Sequence, residues 1–132
     1  MEDKTAILAH LPLFAKLDPR SLEAVATLAK IASMPAGTVL MEQGEPARAF
    51  YVIVTGTIHI DRDGDFIRSM TDGGFIGEIS LMEGTPHTAT ATCATDCELV
   101  ELGNYEFGRV MATFPDVRAR VEAAAARRPH EA

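Results

Sequence analysis

The residues with the strongest chemical pattern lie in residues 75–92, which read FIGEISLMEGTPHTATAT. This stretch opens with a glycine beside a carboxylate, Gly77 and Glu78, and a short apolar turn follows. Glycine lets a backbone approach a ligand closely, and free amides at a helix start bind anions without a side chain. We expect an anion site at residues 77–80, with Glu78 accepting hydrogen bonds from neutral hydroxyls; the alternative role for Glu78 is helix capping.

Catalytic and metal-binding patterns are missing from the rest of the sequence. The histidines are scattered without the H-x-H spacing of a cupin-type metal site, and no Ser-His-Asp or Cys-His arrangement can be recognised. The two cysteines are spaced C-x3-C without a second pair, so we expect free thiols in or near the core and no zinc site. The residues concerned are His10, His59, His87, His130, Cys93 and Cys97. The sequence therefore predicts a non-enzyme with neither metal nor cofactor.

Composition and charge narrow the class of protein further. The 132 residues suit a single domain, and the net charge is −7. Residues 42–106 hold twelve acids and three arginines, which makes a poor nucleic-acid surface. The sequence has no apolar run of transmembrane length and no secretory signal, and two cysteines are too few for a disulfide framework. We therefore expect a cytoplasmic protein with neither nucleic-acid nor membrane contact.

The elements that must position residues 75–92 change in type along the chain. Residues 1–32 have helical periodicity, with Asp18 as the expected N-cap and Pro19 at the first helical position. Residues 33–102 contain short β-branched segments between Gly and Pro turns, which indicates eight antiparallel strands. Residues 103–128 favour two further helices. The predicted fold is mainly β: an eight-stranded antiparallel jelly-roll barrel with N-terminal helices and two C-terminal helices.

The stretch FIGEISLMEGTPHTATA, residues 75–91, closely resembles the phosphate-binding cassette of cyclic nucleotide-binding domains, and the cassette itself would be residues 75–89. This family includes the bacterial catabolite-activator regulators, the regulatory subunits of cAMP-dependent kinase and cyclic-nucleotide-gated channels. The resemblance extends to PAGTVLMEQGEPARAFYVIVTGTIHI, which looks like the first half of the family's barrel, and to its helices. It covers roughly residues 8 to 126.

The resemblance implies a role for each position of the cassette. Residues 77, 79 and 80 would face the cyclic phosphate through their backbone, and Glu78 would hold the ribose 2′-hydroxyl. Thr88 would add its hydroxyl and amide to the phosphate, and the next residue an amide. The implied binding residues are Gly77, Glu78, Ile79, Ser80, His87, Thr88 and Ala89, with Arg127 and Arg128 of the last helix as lid residues.

One residue departs from the family pattern. Most ligand-binding members have an arginine where this sequence has His87. Arginine is always charged and presents parallel donors to a phosphate, whereas histidine is about half-charged only near pH 6.5. Three interpretations follow: a cyclic nucleotide still binds with help from protonated His87 or an arginine of the last helix, the pocket takes another ligand or none, or His87 is a haem ligand.

The resemblance implies a non-catalytic regulatory sensor that binds cAMP or cGMP and signals by moving its C-terminal helix, 116–128. The implied partners are the cyclic nucleotide and an effector domain or protein, and a homodimer is a further option. The alternative is a degenerate fold of this family that binds another ligand or none and acts as a protein-interaction module.

Overall fold

The computed structural model describes residues 3–127, and its centre consists of two four-stranded antiparallel sheets. Helices precede, interrupt and follow the strands. In chain order the elements are α1 (Lys4–Ala9), α2 (Pro19–Leu28), β1 (Lys30–Met34), β2 (Val39–Met41), β3 (Ala49–Thr55), β4 (Ile58–Arg62), β5 (Asp65–Met70), β6 (Phe75–Ile76), α3 (Glu78–Glu83), β7 (Thr90–Cys93), β8 (Cys97–Gly103), α4 (Asn104–Thr113) and α5 (Pro115–Arg127).

The strand order confirms the predicted mainly-β jelly roll with flanking helices. One sheet has the order β1-β8-β3-β6 and the other β2-β7-β4-β5. Every strand pair is antiparallel. The sheets do not close on each other, so the molecule is a pair of facing sheets and not the continuous barrel that the sequence led us to expect.

Strand β1 lies where helical periodicity had suggested the end of a helix. Its partner is β8, and Ile31 pairs with Val100 in register. Helix α2 ends at Leu28, although its start follows the prediction: Asp18 caps it by accepting a hydrogen bond from the Ser21 amide at 2.8 Å. Residues 30–34 form a strand because pairing with β8 outweighs their weak local preference for helix.

The first sheet is buried on both faces, which produces two hydrophobic clusters. Strand β3 contributes Phe50 and Val52 to a helical cluster, where α1, α2, α4 and α5 pack on the sheet. From its other face, Ile53 enters a barrel cluster between the two sheets, together with Ile60 of β4 and Ala91 of β7. This arrangement makes β3 the strand that joins the interior of the jelly roll to the helices.

The helices themselves are short. Helix α5, the longest, carries an exposed ion pair between Arg118 and Glu122 at 3.2 Å, as expected for a solvated helix face. No helix within residues 3–127 combines the length and the apolar character that crossing a bilayer requires.

Candidate functional site

The cassette begins with a left-handed turn between β6 and α3. Gly77 has φ = +98°, a conformation that other residues rarely adopt. A Cβ atom at this position would lie 2.7 Å from the carbonyl oxygen of Ala49, so the start of β3 packs directly behind the turn. The Gly77 carbonyl accepts the first hydrogen bond of α3, from the Leu81 amide at 3.2 Å. Both the backbone conformation and the close packing therefore require glycine here.

The next three residues are buried in the first turn of α3. Glu78 is completely buried, and Ile79 and Ser80 are nearly so. The amides of Ile79 and Ser80 form no backbone hydrogen bond within residues 3–127, while the Ser80 hydroxyl donates to the Pro86 carbonyl at 3.3 Å. The fold thus places a carboxylate and two amides without backbone hydrogen bonds in the first turn of α3, and the anion site expected at residues 77–80 stays a prediction.

His87 follows after the loop that ends α3. Its amide donates to the Glu45 carbonyl at 3.0 Å, and its carbonyl accepts from the Gly44 amide at 2.8 Å. The side chain is only 5% exposed, and its Nδ1 atom has no hydrogen-bond partner within residues 3–127. Burial lowers the pKa of His87 below its ordinary value of 6.5. In the ligand-free protein, burial thus favours the neutral imidazole at pH 7, whereas a phosphate beside the ring would favour the charged form.

Thr88 and Ala89 complete the cassette on opposite sides of the chain. Ala89 is completely buried in the barrel cluster, and the side chain of Thr88 is exposed. The Thr88 carbonyl accepts a hydrogen bond from Arg62 Nε at 3.1 Å. We did not single out Arg62 from the sequence, although its position two residues after the buried Ile60 of β4 was a usable signal of an inward side chain.

A cavity adjoins His87 between β2 and the start of β3, and we call it the side cavity. Its volume is about 380 Å³. A smaller cavity of about 280 Å³ lies behind α3, beside Ser80 and Asn104. The polar and charged side chains along the side cavity come from far apart in the sequence: Glu42, Glu45, Arg48, Tyr51 and His87. Of these residues, only His87 was predicted from the sequence to belong to the binding site.

Helix α5, the expected lid, packs against the rest of the molecule through its apolar face. Val117 and Val121 of α5 are completely buried in the helical cluster, and Arg120 donates to the Leu13 carbonyl at 3.1 Å. Arg127 is exposed at the end of α5 and lines neither cavity beside the cassette. Arg128 lies outside the described residues. The role of these two arginines stays a prediction.

The cysteines are free and buried, as expected. Burial and the neighbouring Cys97 raise the pKa of the Cys93 thiol to about 12, so it stays protonated. Within residues 3–127, no group of three or more His, Cys, Asp or Glu side chains is placed to hold a metal ion.

The comparison with protein families decides the assignment. The model of the cyclic nucleotide-binding domain matches residues 31–114, which include both sheets except the first residue of β1, and also residues 75–89. The chain belongs to the cyclic nucleotide-binding domain family. As a member of that family, it has the jelly roll that the resemblance implied.

Similar proteins come from several kinds of regulatory system. The cAMP-dependent protein kinase regulatory subunit of Aspergillus fumigatus is 30% identical over 120 residues, which are 89% of this chain and 29% of that protein. The human potassium/sodium hyperpolarization-activated cyclic nucleotide-gated channel 3 is 32% identical over 119 residues, covering 90% and 15%. A solved mutant of a cAMP-binding acyltransferase from Mycobacterium smegmatis has 30% identity, a TM-score of 0.77 and coverage of 92% and 39%. This chain thus spans less than a third of both sequence relatives.

Proposed function

We propose that this cyclic nucleotide-binding domain is a non-catalytic regulatory sensor whose ligand is cAMP or cGMP. The observation that carries the proposal is the completely buried carboxylate of Glu78 directly after the left-handed Gly77. A buried carboxylate is costly unless its environment compensates for lost hydration. The hydroxyls of a ligand would add to the compensation that the protein itself provides.

The proposed contacts follow the cassette in order. The Ile79 and Ser80 amides would donate to the cyclic phosphate, Glu78 would accept from the ribose 2′-hydroxyl, and the hydroxyl of Thr88 and the amide of Ala89 would complete the phosphate site. The purine would lie against the apolar residues of the barrel cluster. Since cAMP and cGMP share the ribose and the phosphate, these contacts would bind both ligands. Selectivity between the two would depend on contacts with the purine.

Signalling would follow from differential binding to two positions of α5. A ligand shifts such an equilibrium only if it binds one position more tightly. We propose that α5, with Arg127 and Arg128 at its end, moves over the purine and passes the change to an effector domain or protein in the cytoplasm. The relatives named above, a kinase regulatory subunit, a channel and an acyltransferase, illustrate the range of such effectors.

One observation favours the rival function, a protein-interaction module with a different ligand or none. Burial favours the neutral form of His87 in the ligand-free protein, and His87 stands where most ligand-binding members have a permanently charged arginine. The loss of one hydrogen bond to a charged group costs roughly 1.5–3 kcal/mol. That loss weakens binding by about one to two orders of magnitude without abolishing it.

Calorimetric titration with cAMP, cGMP and 2′-deoxy-cAMP tests the proposal. We expect cAMP or cGMP to bind, and to add about 2.7 kcal/mol to the free energy of unfolding at 100 times the dissociation constant. The 2′-deoxy ligand lacks the hydroxyl assigned to Glu78, so it should bind about tenfold more weakly than cAMP. Removing a ligand group avoids substituting a buried residue, which would confuse binding with folding.

Two outcomes would contradict the proposal in different ways. The absence of heat and of thermal stabilisation at ligand concentrations up to about 1 mM would favour the interaction module. Equal affinities for cAMP and its 2′-deoxy analogue would remove the assigned role of Glu78 while leaving cyclic-nucleotide binding intact.

A further inference from the structure

The side cavity brings an arginine to the cassette from outside it. The cavity is lined by both His87 and Arg48, the residue immediately before β3. Its remaining lining includes Met41 and Tyr51 from the interior of the jelly roll and two exposed acids, Glu42 and Glu45. The cavity therefore adjoins both a cassette residue and an exposed arginine.

The backbone around Arg48 is fixed close to the phosphate turn. The Arg48 carbonyl accepts a hydrogen bond from the Asn104 amide at 3.0 Å, and Ala49 pairs with Gly103 of β8. The next carbonyl, that of Ala49, packs directly behind Gly77. A side chain starting one residue away from this contact, with the long aliphatic stem of arginine, can reach the cassette.

The charge of Arg48 is available in the ligand-free protein. Its side chain is exposed, and it forms no ion pair or hydrogen bond within residues 3–127, although two acids line the same cavity. His87 lines the same cavity, and its buried Nδ1 atom lacks a hydrogen-bond partner among these residues. A buried polar atom without a partner is costly, so a polar ligand group that reaches the ring would remove that cost.

We propose that Arg48 provides the positive charge opposite the cyclic phosphate, acting across the side cavity from His87. The inference rests on the proposed function and deepens it by naming the cation of the phosphate site. His87 then contributes a neutral hydrogen bond, and Arg48 contributes the permanent charge and the paired donors that the cassette lacks.

Calorimetric titration of cAMP into the full chain and its Arg48→Ala variant tests the proposal. Loss of a charge-assisted contact should weaken binding by about tenfold or more. Arg48→Lys, which keeps the charge without the paired donors, should lie between wild type and Arg48→Ala. Arg20→Ala is the matched control, since Arg20 is an exposed arginine on α2, and cAMP affinity should be unchanged.

Repeating the Arg48→Ala measurement in a His87→Arg variant tests whether Arg48 acts on the phosphate. His87→Arg restores a cation within the cassette, so it should bind cAMP more tightly, and adding Arg48→Ala should then cost much less than in wild type. Melting temperatures without ligand should be equal for wild type and Arg48→Ala, because the Arg48 side chain is exposed.

Each remaining outcome overturns the proposal, in a way that separates it from the proposed function. If wild type binds cAMP and Arg48→Ala binds it equally well, Arg48 is not the cation and the sensor function stands. The same conclusion holds if Arg48→Ala weakens binding as strongly in the His87→Arg background as in wild type. If wild type binds neither cAMP nor cGMP, the sensor function fails and the role of Arg48 fails with it.

Discussion

Histidine at position 87 changes the chemistry of the cassette more than any other single residue. An arginine would carry its charge at every physiological pH, whereas burial keeps the His87 imidazole neutral. The backbone of His87 is still held in place, because its amide and its carbonyl both form hydrogen bonds with the turn at residues 44–45. Histidine at this position therefore keeps the backbone hydrogen bonds of the cassette. A permanent positive charge beside a bound phosphate would have to come from another residue.

The lowered pKa of His87 predicts a pH dependence of stability. The unfolded chain binds a proton near pH 6.5, and the folded protein resists that protonation, so stability is present above pH 6.5 and is lost as pH falls through the folded pKa. Between about pH 6.5 and 5, the melting temperature of wild type should fall more steeply than that of His87→Gln. The exposed His10 and His59 and the cavity acids Glu42 and Glu45 are common to both proteins. Parallel profiles in thermal melts without ligand would show that burial does not hold the imidazole neutral.

At the scale of elements, the turn from β6 into α3 depends on close contact with β3. Strand β6 has only two residues, and it pairs Ile76 with Tyr51 and Phe75 with Val52. Gly77 follows in a left-handed conformation, close to the Ala49 carbonyl. The contact between this turn and β3 thus sets the orientation of α3 and of Glu78.

Two glycine substitutions separate backbone strain from steric contact at this turn. Gly77 and Gly84 both have positive φ, but a Cβ at Gly84 would meet no atom within 4 Å. Gly84→Ala should destabilise the protein by about 1 kcal/mol through its backbone conformation alone. Gly77→Ala adds the contact with Ala49 and should cost about 2–3 kcal/mol or more. Denaturant unfolding measures both values, and equal losses would show that β3 does not constrain the turn.

For the whole molecule, the first sheet connects the proposed site to the helices. Its strands β3 and β8 contribute to both clusters, since Leu99 of β8 faces the barrel cluster while Val100 faces the helical cluster. Helix α5 belongs to the helical cluster through Val117 and Val121. Deleting this helix would therefore remove part of a core as well as the expected lid, and weaker binding after truncation would not distinguish the two.

Val121→Ala measures how strongly α5 is held. Removing the two methyl groups of a completely buried valine should lower the free energy of unfolding by about 2 kcal/mol. Arg118→Ala on the same helix is the control, because its ion pair with Glu122 is exposed and should contribute less than about 1 kcal/mol. Thermal or denaturant unfolding of both variants gives the comparison. Similar small losses would indicate that α5 is only loosely attached.

The sequence by itself determined the family and the mainly-β class, because the patterns that indicate them depend on neighbours along the chain, while the chemistry of residues 77–80 stays a prediction. A glycine before a carboxylate and an apolar turn is a local pattern, and Asp18 caps α2 through the nearby Ser21. Strand β1 was not predictable in this way, since its strand state comes from pairing with the distant β8.

The same reason explains which parts of the site needed the tertiary structure. The neutrality of His87 follows from burial against the turn at residues 44–45, and burial depends on how β2 and β3 approach the cassette. Arg48 and His87 line one cavity only because of that approach. A sequence lists the charges that a protein carries, and the packing of distant segments decides which of them share a site and which lose their charge.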